Sequence, residues 1–310
     1  MRHLVSVLPD FNATVTGSVI FTPRSIVAEV AVDGNLQIFK CSFEQEERTG
    51  LHIQTAWGHP MAQILHLNEY PNFGMTAAVM ERGDANSHPR IEDTALICAL
   101  IHQLHLSPVQ PTAGRMRPLA SWFASLIGDS GESQAPKVEL DTARLPRWAL
   151  NTLIAGAHEA RELLANPHPQ LAPVALHGDV HHGNILPFAP HPAKTPSTEH
   201  STAGHLDSGP SSWKFIDPKG LYGEPLFDYC NLLYNPDLTQ AAETGLFAHR
   251  AGIVGKHLTA TYKTELHQRY LRWVVAYGAL SATWHLEDDA TAQALSTLRI
   301  AQLALAELRT

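Results

Sequence analysis

Apolar positions along this chain change period near residue 90. Before that point the pattern is that of strands. Ser25–Val32 alternates and is rich in β-branched residues, Asp33-Gly34 is a two-residue turn signal, and residues 35–40 continue as a partner strand. At a period of two, Leu36, Ile38 and Lys40 share one face, so an apolar strip ends in a cation. Residues 43–57 carry Glu44, Glu46 and Glu47 at the front, where a helix N-terminus favours acids, although Gly50 inside the stretch is a poor helix former. Residues 61–67 and 74–80 read as two further strands, closed by Glu81-Arg82-Gly83-Asp84. From Ile91 onward the spacing is helical: Ile91, Ala95, Cys98, Ile101, His102 and His105 fall on one face, residues 148–164 repeat the pattern, and residues 246–308 are mostly helical. These periods predict an α+β protein of two lobes. A small β-rich N-terminal lobe spans 1–83, and a larger, mainly helical C-terminal lobe spans 84–310. Residues 189–212 are rich in Pro, Ser, Thr, His and Gly with almost nothing to bury, and read as a flexible surface insertion.

Composition narrows the class. With 310 residues, 44% hydrophobic and 17% charged, the chain is a packed globule rather than a solvated coil. Lysine and arginine number 22 against 30 acids, a net charge of −8, which argues against a nucleic-acid clamp and against a membrane-surface helix. No apolar run approaches the ~18 residues of a membrane span. The first residues hold one arginine and a short apolar run, too little for a secretory signal, so a cytoplasmic protein is expected. Cys41, Cys98 and Cys230 are scattered without a C-x-x-C pair, which disfavours disulfides and a cysteine zinc site.

Chemistry concentrates in two blocks flanking the insertion. The first is Leu176-His177-Gly178-Asp179-Val180-His181-His182-Gly183-Asn184-Ile185-Leu186. The second is Ile216-Asp217-Pro218-Lys219-Gly220-Leu221-Tyr222-Gly223-Glu224-Pro225-Leu226-Phe227-Asp228. Strand-like runs end the first block and begin the second, and an antiparallel hairpin between them would bring Asn184 beside Asp217, with Asp179 five residues upstream. One carboxylate and one amide oxygen are hard donors suited to Mg²⁺. Asp217 and Asn184 are the candidate metal ligands, and Asp179 can orient an attacking hydroxyl and accept its proton, which are the parts phosphoryl transfer asks of a protein. Lys40, at the end of its strip, is the candidate to neutralise nucleotide phosphates.

These blocks resemble the aminoglycoside phosphotransferase-like kinases, and in their fuller strings the aminoglycoside/hydroxyurea antibiotic resistance kinase branch that includes streptomycin 6-kinases. Asn235-Pro236, Trp273 and the run Ala282-Thr283-Trp284-His285-Leu286-Glu287-Asp288 are similar to its C-terminal region, so that the likeness covers roughly residues 25–290. The resemblance implies a two-lobed protein kinase-like fold and a kinase that uses ATP and Mg²⁺ to phosphorylate a hydroxyl of an aminoglycoside such as streptomycin, in a cleft between the lobes. It makes Asp179 the base, Asn184 and Asp217 the metal ligands and Lys40 the phosphate-pairing lysine. Glu47, or else Glu46, then orients Lys40; backbone from Met80 and Glu81 to Gly83 meets the adenine; and Asp228 supports the catalytic loop. The phosphate-covering turn, Thr22-Pro23-Arg24-Ser25, has no Gly-rich loop.

Other readings compete. A kinase of an unidentified metabolite fits the same residues. His177, His181, His182 and Asp179 could instead hold zinc for hydrolysis. Their order, His-x-Asp-x-His-His, differs from the His-x-His-x-Asp-His of metallo-β-lactamase-like hydrolases, and His177 is better read as a packing and hydrogen-bonding residue of the loop. Trp284 with Glu287 and Asp288 could line a pocket for a guanidinium or ammonium substrate, against the plainer reading of acids decorating a helix end.

Overall fold

Asp33 and Gly34 adopt φ of 49° and 80°, the left-handed pair that a type I′ hairpin turn requires. They join strand β2 (Ser25–Val32) to β3 (Asn35–Ser42) in unbroken register, from Val32 opposite Asn35 to Ser25 opposite Ser42. The structure, a computed structural model, describes residues 6–83, 90–107, 116–128, 145–188 and 212–309. The expected insertion at 189–212 lies almost wholly outside the described residues.

The described residues form two compact units, one of residues 1–91 with 183–217 and one of 92–182 with 218–310. In the first, β2 and β3 sit inside a five-stranded antiparallel sheet of order β1-β2-β3-β5-β4, with β1 at Ala13–Phe21, β4 at Ile64–Tyr70 and β5 at Met75–Met80. One face is a core of Ile26, Ala28, Val30, Phe39, Cys41, Met75, Ala77 and Val79, closed by Leu8 and Phe11. The opposite face of β3 and β5 packs Ala78 and Met80 on Leu51 of helix α1 (Gln45–Ala56). Lys40 shares parity with Ile38 and so faces α1. The apolar strip leading to it fades outward, because Leu36 is 58% exposed near the hairpin tip.

Two details depart from the sequence pattern. Strand β1 is mostly exposed, and its weak alternation gave no signal. Residues 61–63 do not join β4. Met61 bridges Phe215, Ala62 N–H donates to Phe215 O (2.9 Å) and Phe215 N–H to Pro60 O (2.7 Å), so this segment is claimed by the hairpin of β8 (Ile185–Phe188) and β9 (Ser212–Phe215).

The second unit is built from α2 (Thr94–His105), α3 (Arg147–Ala165), α4 (Thr244–Tyr262), α5 (His267–Glu287) and α6 (Thr291–Glu307). A small sheet of β6 (Arg117–Pro118), β10 (Leu221–Gly223) and β7 (Val174–Leu176) lies among them. Asp93 starts α2 by accepting from the N–H groups of Ala95 and Leu96, a side-chain cap. Phe123, Phe227, Trp273 and Tyr277 form a cluster of edge-to-face and tilted ring contacts at its centre. Trp273 Nε1 donates to Glu224 Oε1 (2.7 Å), and Arg269 grips both oxygens of that carboxylate (2.8 and 2.6 Å), so the buried indole N–H and the carboxylate are both paired. Among the described residues no helix is long and apolar enough to cross a membrane.

Candidate active site

Antiparallel pairing of β8 and β9 brings the end of the first sequence block beside the start of the second. Ile185 lies opposite Phe215, and Ile216 N–H donates to Asn184 O (3.0 Å), which fixes Asn184 beside the residue preceding Asp217. Asp217 has φ 59°, a left-handed conformation that Asp tolerates better than most residues. Its Oδ1 is 2.9 Å from Lys40 Nζ, and Glu47 Oε2 lies 2.5 Å from the same nitrogen. A strand, a helix and the end of a hairpin thus each supply one member of an acid–lysine–acid arrangement. Lys40 is 4% exposed. Burial works to discharge it, but the carboxylates of Asp217 and Glu47 outweigh that effect and hold its pKa above the ordinary lysine value.

A carboxylate at Asp217 and an amide oxygen at Asn184, adjacent through the hairpin register, fit a hard divalent cation. Asp217 retains 38% side-chain exposure, so a solvent-side approach to it exists. The turn from Phe21 to Ser25 closes on itself: Thr22 Oγ1 accepts from the N–H groups of Ser25 (2.8 Å) and Arg24 (3.2 Å). Met80 is buried at the end of β5, paired with Ile38 and Ile64. Glu81 N–H donates to Gln63 O (3.0 Å), and its carboxylate takes the ammonium of Lys214. Gly83 packs so closely on Leu186 and Phe188 that an added Cβ would sit 3.0–3.1 Å from their carbons.

In the second unit Asp179 follows Gly178, whose φ of 81° and closeness to Leu221 (2.8 Å from an added Cβ) require glycine. Asp228 is buried and gathers the loop: Oδ2 accepts from His177 N–H (2.9 Å), Oδ1 from Gly178 N–H (2.8 Å), and His105 Nε2 lies 2.8 Å from Oδ2. His177 is fully buried, and its Nδ1 accepts from Asp179 N–H (3.2 Å). Asn231 Nδ2 donates to Asp179 Oδ1 (3.1 Å), and Asn235 Nδ2 in turn bonds Asn231 Oδ1 (2.9 Å). Lys219 Nζ and His181 Nε2 each lie 3.9 Å from the Asp179 carboxylate.

Asn231, His105 and Lys219 carry no role in the sequence reading. Asn231 gave no local signal in the sequence, and His105 stood out only by helical spacing. His182 is committed to structure, its Nε2 lying 3.1 Å from Arg250 Nη2. Among the described residues no three His, Cys, Asp or Glu side chains converge as a metal centre. Trp284 stacks edge-to-face on Trp122 (5.3 Å), over which Arg117 also lies, and Glu287 and Asp288 are exposed at the end of α5.

The chain is similar to known proteins over most of its length. The chain is 28% identical over 303 residues to a streptomycin 3″-kinase of Klebsiella pneumoniae, covering 94% of this chain and 95% of that protein. It is 25% identical to a streptomycin 6-kinase of Streptomyces griseus, covering 89% and 80%. Among solved structures it superposes on aminoglycoside phosphotransferase APH(4)-Ia in ternary complex with AMP-PNP and hygromycin B, with a TM-score of 0.62, 14% identity and 99% of each chain covered. A microcompartment-associated aminopropanol kinase superposes with a TM-score of 0.64, 12% identity and 99% and 98% covered. These likenesses establish the two-lobed kinase fold. Since the family model matches residues 13–289, the chain belongs to the aminoglycoside/hydroxyurea antibiotic resistance kinase family and is a small-molecule phosphotransferase.

Proposed function

We propose that the enzyme transfers the γ-phosphoryl group of ATP to a hydroxyl of an aminoglycoside, streptomycin foremost. The observation that carries the reaction is the buried Lys40 held between Glu47 and Asp217, because a desolvated, fixed ammonium is what an ATP polyphosphate needs opposite it. Streptomycin is favoured by the names of the two relatives above and by the acidic balance of the chain, which attracts a guanidinium-bearing substrate.

The roles follow from the chemistry of each group. Asp179 accepts the proton of the attacking hydroxyl, and Asn231 holds its other oxygen so that one lone pair faces the acceptor. Lys40 neutralises the nucleotide phosphates, and Glu47 keeps it in place. Asn184 and Asp217 would hold Mg²⁺, which supplies charge neutralisation to the phosphates when bound. Backbone from Met80 and Glu81 to Gly83 receives the adenine, and Asp228 with His177 fixes the loop that carries Asp179. Trp284, Glu287 and Asp288 take the cationic substrate. The domain division at residue 83 belongs to the same proposal, as does a cytoplasmic location, where ATP is supplied.

The test is ADP release from Mg-ATP by the purified enzyme across a panel of aminoglycosides and small amino alcohols, with the product located by NMR. Streptomycin-dependent ADP release with phosphate at the 3″ or 6 hydroxyl is expected. Turnover of an amino alcohol with none of any aminoglycoside would overturn the substrate class.

A further inference from the structure

We infer that Lys219 is a further catalytic residue, whose ammonium stabilises the γ-phosphoryl group as it passes to the acceptor held at Asp179. This deepens the phosphotransferase reading and rests on Asp179 being its base. Lys219 is fixed to the catalytic loop twice. Its N–H donates to His177 O (2.6 Å), and its Cβ lies 3.2 Å from where a side chain at Gly178 would begin, so the glycine admits the lysine stem. From that anchor Nζ reaches to 3.9 Å from Asp179 Oδ2, with the side chain only 16% exposed.

That distance is longer than a hydrogen bond, so the ammonium flanks the carboxylate rather than capping it. Asn231 donates to Oδ1, and the ammonium stands on the side of Oδ2. In the transfer the acceptor O–H bond breaks and its proton goes to Asp179, the acceptor oxygen forms a bond to the γ-phosphorus, and the bond to the β-phosphate oxygen breaks as ADP leaves with the electron pair. Negative charge on the three peripheral phosphoryl oxygens must then be met close to Oδ2, where Lys219 stands.

The experiment compares wild type, Lys219→Met, Lys219→Cys and Lys219→Cys aminoethylated with 2-bromoethylamine. The three native thiols are buried, so the new cysteine is the one alkylated in the folded protein. Single-turnover transfer from labelled ATP to streptomycin is measured alongside ADP affinity and thermal melting. Loss of one charge-stabilising donor costs about 10²–10³-fold in the chemical step. That loss is expected for Lys219→Met, with ADP affinity and melting nearly unchanged and most of the rate restored by the aminoethyl group. Wild-type transfer with an unimpaired Met variant would overturn the assignment alone. So would a loss that aminoethylation does not restore, since packing rather than charge would then be at fault. A wild type that phosphorylates no hydroxylated acceptor would overturn the phosphotransferase reading and this assignment with it.

Discussion

Removing the charge of Lys40 should damage stability and catalysis in ways that a second substitution separates. In Lys40→Met the Glu47 carboxylate, 9% exposed, loses the ammonium at 2.5 Å that compensates its burial. Breaking a buried pair by deleting one partner costs roughly 3–5 kcal/mol. The contact to Asp217 adds little, because that side chain is over a third exposed and its charge is screened. Replacing both buried partners, as in Lys40→Met/Glu47→Leu, leaves no stranded charge and is often near neutral. Urea unfolding followed through the fluorescence of Trp57, buried in the same unit, reads the difference. At about 3 kcal/mol per molar urea, the single variant should lose roughly 1 M in midpoint and the double variant should regain most of it. Neither should recover phosphoryl transfer. A double variant as unstable as the single, or a single variant with an unchanged midpoint, would refute the claim that this lysine compensates a buried carboxylate.

Five further variants have expected outcomes. Asp179→Asn keeps a partner for Asn231 and should melt like wild type, yet lose measurable single-turnover transfer; Asp217→Asn should do the same. Asp228→Ala orphans two buried N–H groups and His105, and should cost at least about 3 kcal/mol in urea unfolding together with activity, since each unsatisfied group costs ~1–3 kcal/mol. Gly178→Ala, forced to φ 81° against Leu221, should lower the melting temperature and transfer together. Burial pushes the Cys41 thiol up to about 11. Its contribution to stability is therefore complete below the unfolded value near 9 and declines as pH rises towards 11, so Cys41→Ala should show a shallower alkaline loss in melting scans.

Much of this molecule could be read from its sequence because local signals agreed with the fold. Asp33-Gly34 demanded a type I′ turn, and the alternation on either side set a register that the structure keeps to the last pair. The strand-like runs at the block ends paired as a hairpin, which is why Asn184 and Asp217 could be placed together without coordinates. What escaped depends on long-range contacts. Residues 61–63 look like the start of a strand, but Met61 and Ala62 are drawn to Phe215, more than 150 residues away. Asn231 is an ordinary polar residue in sequence, and its role exists only because the short helix carrying it folds back on Asp179. Glu46 and Glu47 were equivalent by composition; the rotation of α1 put Glu47 on Lys40.

Transfer of labelled γ-phosphate from Mg-ATP to streptomycin, followed in a single turnover by wild type and by Asp179→Asn side by side, tests the central claim most directly. The account predicts a phosphorylated hydroxyl from the wild type and unreacted antibiotic from a variant that still folds and binds nucleotide. Equal product from both proteins would mean that the carboxylate at the centre of the catalytic loop takes no proton, and would contradict the account.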